Sequence, residues 1–135
     1  MNAVAREPWS TSKRVASNEV AWDGPCEALF NHLVERDPVK LIALLETGAL
    51  EPHLLTFAAE IAGDAPIALY PKLVSALTAL LEHPKPPVRE GALYGLAKLL
   101  PTLPHLRARI ERHAGDSETS PGVRRAARGI LGLAD

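Results

Sequence analysis

Sulfur and aromatic rings are scarce in this chain. Among 135 residues there is one cysteine, Cys26, and one methionine. A lone cysteine excludes an intrachain disulfide, so packing alone must hold the fold, and a reducing cytoplasm is the expected compartment. Aromatic residues make up only 4%, which leaves Leu, Ala, Val and Ile to fill the core. Such side chains, with few β-branched runs, suit packed helices better than a sheet. No stretch approaches the roughly 20 apolar residues of a membrane span. Arg6, Glu7, Lys13 and Arg14 interrupt the N-terminus where a secretory signal would need unbroken apolar sequence. Sustained period-two alternation is missing too, so strand content is expected near zero.

Several kinds of chemistry are equally unrepresented. The five histidines, His32, His53, His83, His105 and His113, form no i, i+3 or i, i+4 pair. With the single cysteine far from any second ligand, no zinc site is expected. No glycine-rich phosphate loop follows a strand, and no local motif marks a nucleophile with its base. These absences predict a noncatalytic chain without cofactor or metal.

What the chain does have is punctuation and uneven charge. It contains 12 prolines and 9 glycines, and its length is that of one domain. Net charge is −1. Residues 25–66 carry seven acids against Arg36 and Lys40, a net −5, whereas residues 67–135 carry ten bases against six acids, a net +4. A rod built in this order would be acidic at one end and basic at the other.

Residues 1–24 read as an extension rich in Ser, Thr and Asn, without a helical stripe but with Trp9 and Trp22. Residues 25–135 read as the helical domain. Pro25 opens a helix whose Leu29, Phe30, Leu33 and Val34 share one face. Asp37-Pro38 ends it and starts another, with Leu41, Ile42, Leu44 and Leu45 inward and Gly48 as its stop. Pro52 opens a helix with Leu54, Leu55, Ala58, Ile61 and Ala62 inward, ending near Gly63. A longer one is expected over Pro71–Glu82, ended by Pro84, Pro86 and Pro87, then another over Val88–Leu100. Pro101 and Pro104 bracket a helix reaching about His113; residues 115–122 read as an open loop, and the last helix runs to about Leu133.

One stretch occurs twice. Val88-Arg89-Glu90-Gly91-Ala92-Leu93-Tyr94-Gly95-Leu96-Ala97 returns 35 residues later as Val123-Arg124-Arg125-Ala126-Ala127-Arg128-Gly129-Ile130-Leu131-Gly132. That period lies in the range of stacked helical repeats. A weaker copy aligns Leu54, Ala58, Ile61 and Ala62 with Val88, Ala92, Gly95 and Leu96. Three helix pairs follow, at about 38–63, 66–100 and 101–134, preceded by a capping helix at 26–36. Pro87-Val88-Arg89 with Ala92, Leu96 and Leu99, and Pro121 with Val123-Arg124, Ala127, Leu131 and Gly132, resemble the second helix of HEAT repeats. The resemblance is good over residues 84–134, fair over 50–83 and poor before that. It implies an all-α, short right-handed α-solenoid of antiparallel helix pairs.

The resemblance also implies a scaffold that presents a concave face of second helices to a partner. In that family the arginine after the Val pairs with an acid of the preceding loop, a role that Asp116 fits for Arg124 and Glu82 fits less well for Arg89. The glycines Gly91, Gly95, Gly129 and Gly132 suggest close helix approach. Outward positions of the second helices give a candidate partner-binding surface of Glu60, Glu90, Tyr94, Lys98, Arg125 and Arg128. The expected function is a protein-interaction module, an adaptor or an inhibitor of the immunity-protein kind. Nucleic acid is the alternative partner, through the nine Lys and Arg between Lys85 and Arg128. A lyase-like enzyme, which some HEAT-like proteins are, is a further alternative. Ile130, Leu131 and Leu133 on the last helix are expected to be partly exposed and to favour a homodimer.

Overall fold

A computed structural model describes residues 24–133, which are helical and contain no strand. The expected N-terminal extension, with Trp9 and Trp22, lies outside these residues. Seven α-helices occur among those described: α1 (Gly24–Arg36), α2 (Pro38–Glu46), α3 (Pro52–Ala62), α4 (Tyr70–Leu80), α5 (Pro86–Leu99), α6 (Arg107–Glu111) and α7 (Pro121–Leu131). Short 3₁₀ turns, Ile67–Leu69 and Pro104–Leu106, lead into α4 and α6.

Local chemistry sets the boundaries. Proline occupies the first turn of α2, α3, α4, α5 and α7, where the missing N–H would have had no helical partner. That corrects one expectation: Pro86 and Pro87 do not merely end α4 but form the first turn of α5. Asp37 caps α2 by accepting from the Lys40 N–H at 3.3 Å. Ser120 caps α7 by accepting from the Val123 N–H at 3.3 Å. At the other end of α7, Gly132 adopts φ +73 and Leu133 N–H donates to the Arg128 carbonyl at 2.8 Å. A left-handed residue here closes the helix, and glycine takes that conformation without a Cβ penalty. Helix α6 is shorter than expected, ending at Glu111 rather than His113.

The core is built as the composition requires. Among the described residues Phe30 is its one fully buried aromatic ring; Leu41, Leu54, Leu73, Leu77, Leu93, Leu96 and Leu99 supply most of the remainder. On α3, Ile61 packs against the core only partly buried, and Ala59, which the stripe did not include, is fully buried. Alternate helices pack on one another: α1 on α3, α3 on α5 and α5 on α7, while α2 packs on α4. Consecutive helices also meet, α1 with α2, α2 with α3, α4 with α5 and α6 with α7. The most extensive of these contacts joins α3 to α5, and glycine permits it. A Cβ added at Gly91 would collide with the Thr56 carbonyl oxygen, and one at Gly95 would lie 2.5 Å from the Ala59 carbonyl oxygen. The second stretch behaves differently, because nothing lies within 4 Å of a Cβ placed on Gly129 or Gly132. Close approach therefore explains two of the four glycines, and helix closure a third.

Candidate functional site

The outward side of α3 and α5 is located by the contacts at their seam. Thr56 and Ala59 turn their carbonyls towards Gly91 and Gly95, so at about 100° per residue Glu60 and Tyr94 point away from the core, beside that seam. Tyr94 is 39% exposed and Glu60 is exposed. Glu90 is half-buried, its Oε2 3.4 Å from the position of a Cβ on Gly122, where α5 meets the start of α7. Lys98 is not a free cation on this face. Its Nζ donates to the Glu60 carbonyl at 2.9 Å and to Asp64 Oδ2 at 3.1 Å, tying α5 to the end of α3.

Arg125 is exposed on α7, in the place that Glu90 takes on α5. Arg128 is half-buried and engaged within the protein, and its counterpart one repeat earlier, Leu93, is fully buried. The sequence reading missed Phe57, which is 42% exposed on α3. Its signal was its spacing, three residues before Glu60 on the same helix surface. Leu131, expected to be partly exposed, is buried within its own chain, whereas Ile130 is half-buried and Leu133 is 42% exposed.

The arginines after the two valines form a second centre, with partners other than those expected. Arg89 is buried and makes a forked pair with Glu118, Nε to Oε1 at 3.2 Å and Nη2 to Oε2 at 2.6 Å. Its Nη1 donates to the carbonyls of His83, at 2.8 Å, and Pro84, at 3.3 Å. The acid thus comes from the loop after α6, 29 residues onward, and not from Glu82. Arg124 donates to the backbone carbonyl of Glu118 and not to Asp116. The segment read as an open loop buries its central carboxylate because two arginines and a histidine converge there.

Glu118 is 5% exposed. Oε1 also lies 2.7 Å from His113 Nδ1, and Oε2 accepts from the Ser120 N–H at 3.0 Å. Burial by itself would push this carboxyl up. The hydrogen bonds from Arg89, His113 and Ser120, together with the Arg89 charge, outweigh burial and lower it from 4.5 to about 2. An ionised carboxylate only accepts, so Nδ1 of His113 carries a proton. His83 is pushed below its ordinary 6.5, first by burial and then by the charges of Arg89 and Lys85. Its Nδ1 accepts from the Lys85 N–H at 3.0 Å.

Above this cluster lies a cleft of about 300 Å³, between the α4–α5 and α6–α7 connections. No group of three or more metal-ligating side chains occurs among the described residues, and none of their helices is long and apolar enough to cross a membrane. A third feature, an apolar recess lined by Ile67, Tyr70, Val74 and Leu103, opens beside the start of α4. Comparison with models of protein families, with curated proteins and with solved structures finds no match. Function has to be argued from the site itself.

Proposed function

We propose that this chain is a HEAT-like array of helix pairs that binds a protein partner, without catalysis, through the outward face of α3, α5 and α7. The register of the helices supports the array. Thr56 meets Gly91 and Ala59 meets Gly95, residues 35 and 36 positions apart, close to the repeat period of the sequence. Helices in contact at matching positions run parallel, as the second helices of stacked pairs must. Alternate packing of α1, α3, α5 and α7 fits the same arrangement.

The observation that carries the binding reading is the exposure of two rings, Tyr94 at 39% and Phe57 at 42%. This chain holds few aromatics, and keeping two of them in water on neighbouring helices forgoes burial that would stabilise the fold. Aromatic side chains are preferred anchors of protein interfaces. Glu60 accompanies Phe57 on α3, while Glu90 on α5 reaches the start of α7, the helix that carries Arg125, giving a partner both polarities to match. Complementary charge would steer encounter and set orientation. An adaptor or an inhibitor that covers its partner suits so small a module.

The test is affinity capture from the native host with three forms of the chain. The wild type and Ile67→Ser, altered at the separate apolar recess, are expected to recover the same stoichiometric protein. Phe57→Ser with Tyr94→Ser is expected to lose it while keeping its helical circular dichroism. Recovery of no stoichiometric protein, or equal recovery by the double variant, overturns the reading. Salt-sensitive binding to duplex DNA or RNA that Arg125→Glu abolishes would replace it with the nucleic-acid alternative.

A further inference from the structure

The cleft above Arg89 and Glu118 lies apart from the Phe57–Tyr94 face, and its polar groups are sorted in a way that ion pairing alone does not require. Both oxygens of Glu118 are used twice, by Arg89 Nε and His113 Nδ1 on Oε1 and by Arg89 Nη2 and Ser120 N on Oε2. Four donors complete the accepting capacity of a carboxylate, so the anion has nothing left to offer a ligand. Arg89 spends four of its five N–H groups on Glu118, His83 and Pro84, leaving one on Nη2.

The two histidines that line the cleft each have one nitrogen to spare. His83 accepts at Nδ1 and so, when neutral, carries its proton on Nε2 as a donor. His113 is 9% exposed and locked to Glu118 through Nδ1. Its Nε2 has no partner, and the one buried side-chain polar atom without a partner among the described residues is Nε2 of His53, so that of His113 is open to solvent. Arg112, also in the lining, is exposed; its carbonyl accepts from Ser117, and its guanidinium makes no ion pair among the described residues.

We propose that this cleft binds a phosphate group, held by Arg112, His83 and His113 above the Arg89–Glu118 pair. A guanidinium beside N–H donors matches tetrahedral oxyanion geometry. His113 Nε2 serves either form of the ligand, accepting from a P–OH or, once protonated, donating to a P–O⁻. Glu82, exposed in the lining, opposes any anion and the more so the higher its charge, which favours a single phosphate group over a polyanion. The volume of about 300 Å³ admits one phosphate group with a small substituent.

Titration of the ¹⁵N-labelled full chain, followed by NMR of the histidine side chains, tests this. Inorganic phosphate and phenyl phosphate are added separately, against sodium chloride at matched ionic strength. Saturable shifts at Nε2 of His83 and His113 are expected with one or both phosphates, and the tighter of the two assigns a free ion or a monoester. Arg112→Ala, an exposed substitution, is expected to weaken binding about tenfold with the melting temperature unchanged. Shifts that fail to saturate, shifts reproduced by chloride, or unchanged binding in the Arg112 variant overturn the proposal.

Discussion

A methyl group added to three glycines of the twin stretches would meet two different surroundings, and the stabilities should separate accordingly. At Gly91 and Gly95 it would press on the backbone of α3, which cannot turn aside as a side chain can. At Gly129 it would meet nothing within 4 Å. Alanine favours a helix interior over glycine by about 1 kcal/mol, so Gly129→Ala is expected to stabilise the fold by up to about that amount. Gly91→Ala gains the same propensity but must separate α3 from α5, at a cost of about 1–3 kcal/mol for overpacking. Urea unfolding of the two variants gives opposite signs if the α3–α5 seam is as close as described. The glycines themselves were legible in the sequence. Which of them faced a neighbour was not, because Gly91 and Gly95 align with Ala126 and Ile130 and Gly129 with Tyr94, so the repeat marks no position as a glycine contact and only the presence of α3 reveals one.

At the scale of the element, the connection between α6 and α7 is held as firmly as a helix. Glu118 receives Arg89 from α5, His113 from the turn after α6 and the N–H of Ser120 ahead of α7, so one carboxylate ties the connection to both the helix before it and α5. Its carboxyl lies at about 2 rather than the ordinary 4.5. Because the folded value is the lower one, ionisation stabilises the protein fully above about pH 4.5 and that contribution disappears as pH falls towards 2. Such a difference amounts to on the order of 3 kcal/mol. Chemical unfolding followed across this window should show stability falling with acid in the wild type and a flatter profile in Glu118→Gln. Glu118→Ala, which leaves Arg89 buried without its counter-charge, is expected to lose about 3–5 kcal/mol at neutral pH. The resemblance to HEAT repeats pointed to Asp116 and, less well, Glu82 as the arginine partners, since it implies an acid from the loop before each arginine. The choice of Glu118 depends on how the chain turns after α6, and no periodicity encodes that turn.

Among the described helices the charge is unevenly shared, with α1 to α3 acidic and α6 to α7 rich in arginine. The last helix offers less for self-association than its sequence promised. Leu131 packs into its own core, leaving Ile130 half-buried and Leu133 exposed. A stable interface needs roughly 800 Å² from each partner, far more than two side chains provide. Sedimentation velocity at micromolar concentration is therefore expected to give one species of single-chain mass. A dimer that dissociates on Leu133→Ser would show that this end is covered after all.

The sequence by itself determined the helices, their proline-opened starts, the apolar stripe of each and the 35-residue echo of Val88–Ala97 in Val123–Gly132. These are local matters: a proline in a first turn, a serine cap and a 3.6-residue period act within a few positions of the chain. Tertiary structure decided what no local rule reaches. It drew Lys98 into a contact with α3, half-buried Arg128, placed Phe57 in water and gathered Arg89, His113 and Glu118 around one cleft. The polar contacts among these depend on which residue of a distant segment comes within about 3 Å, the range over which hydrogen bonds and ion pairs act, and the exposure of Phe57 on which helices pack beside α3.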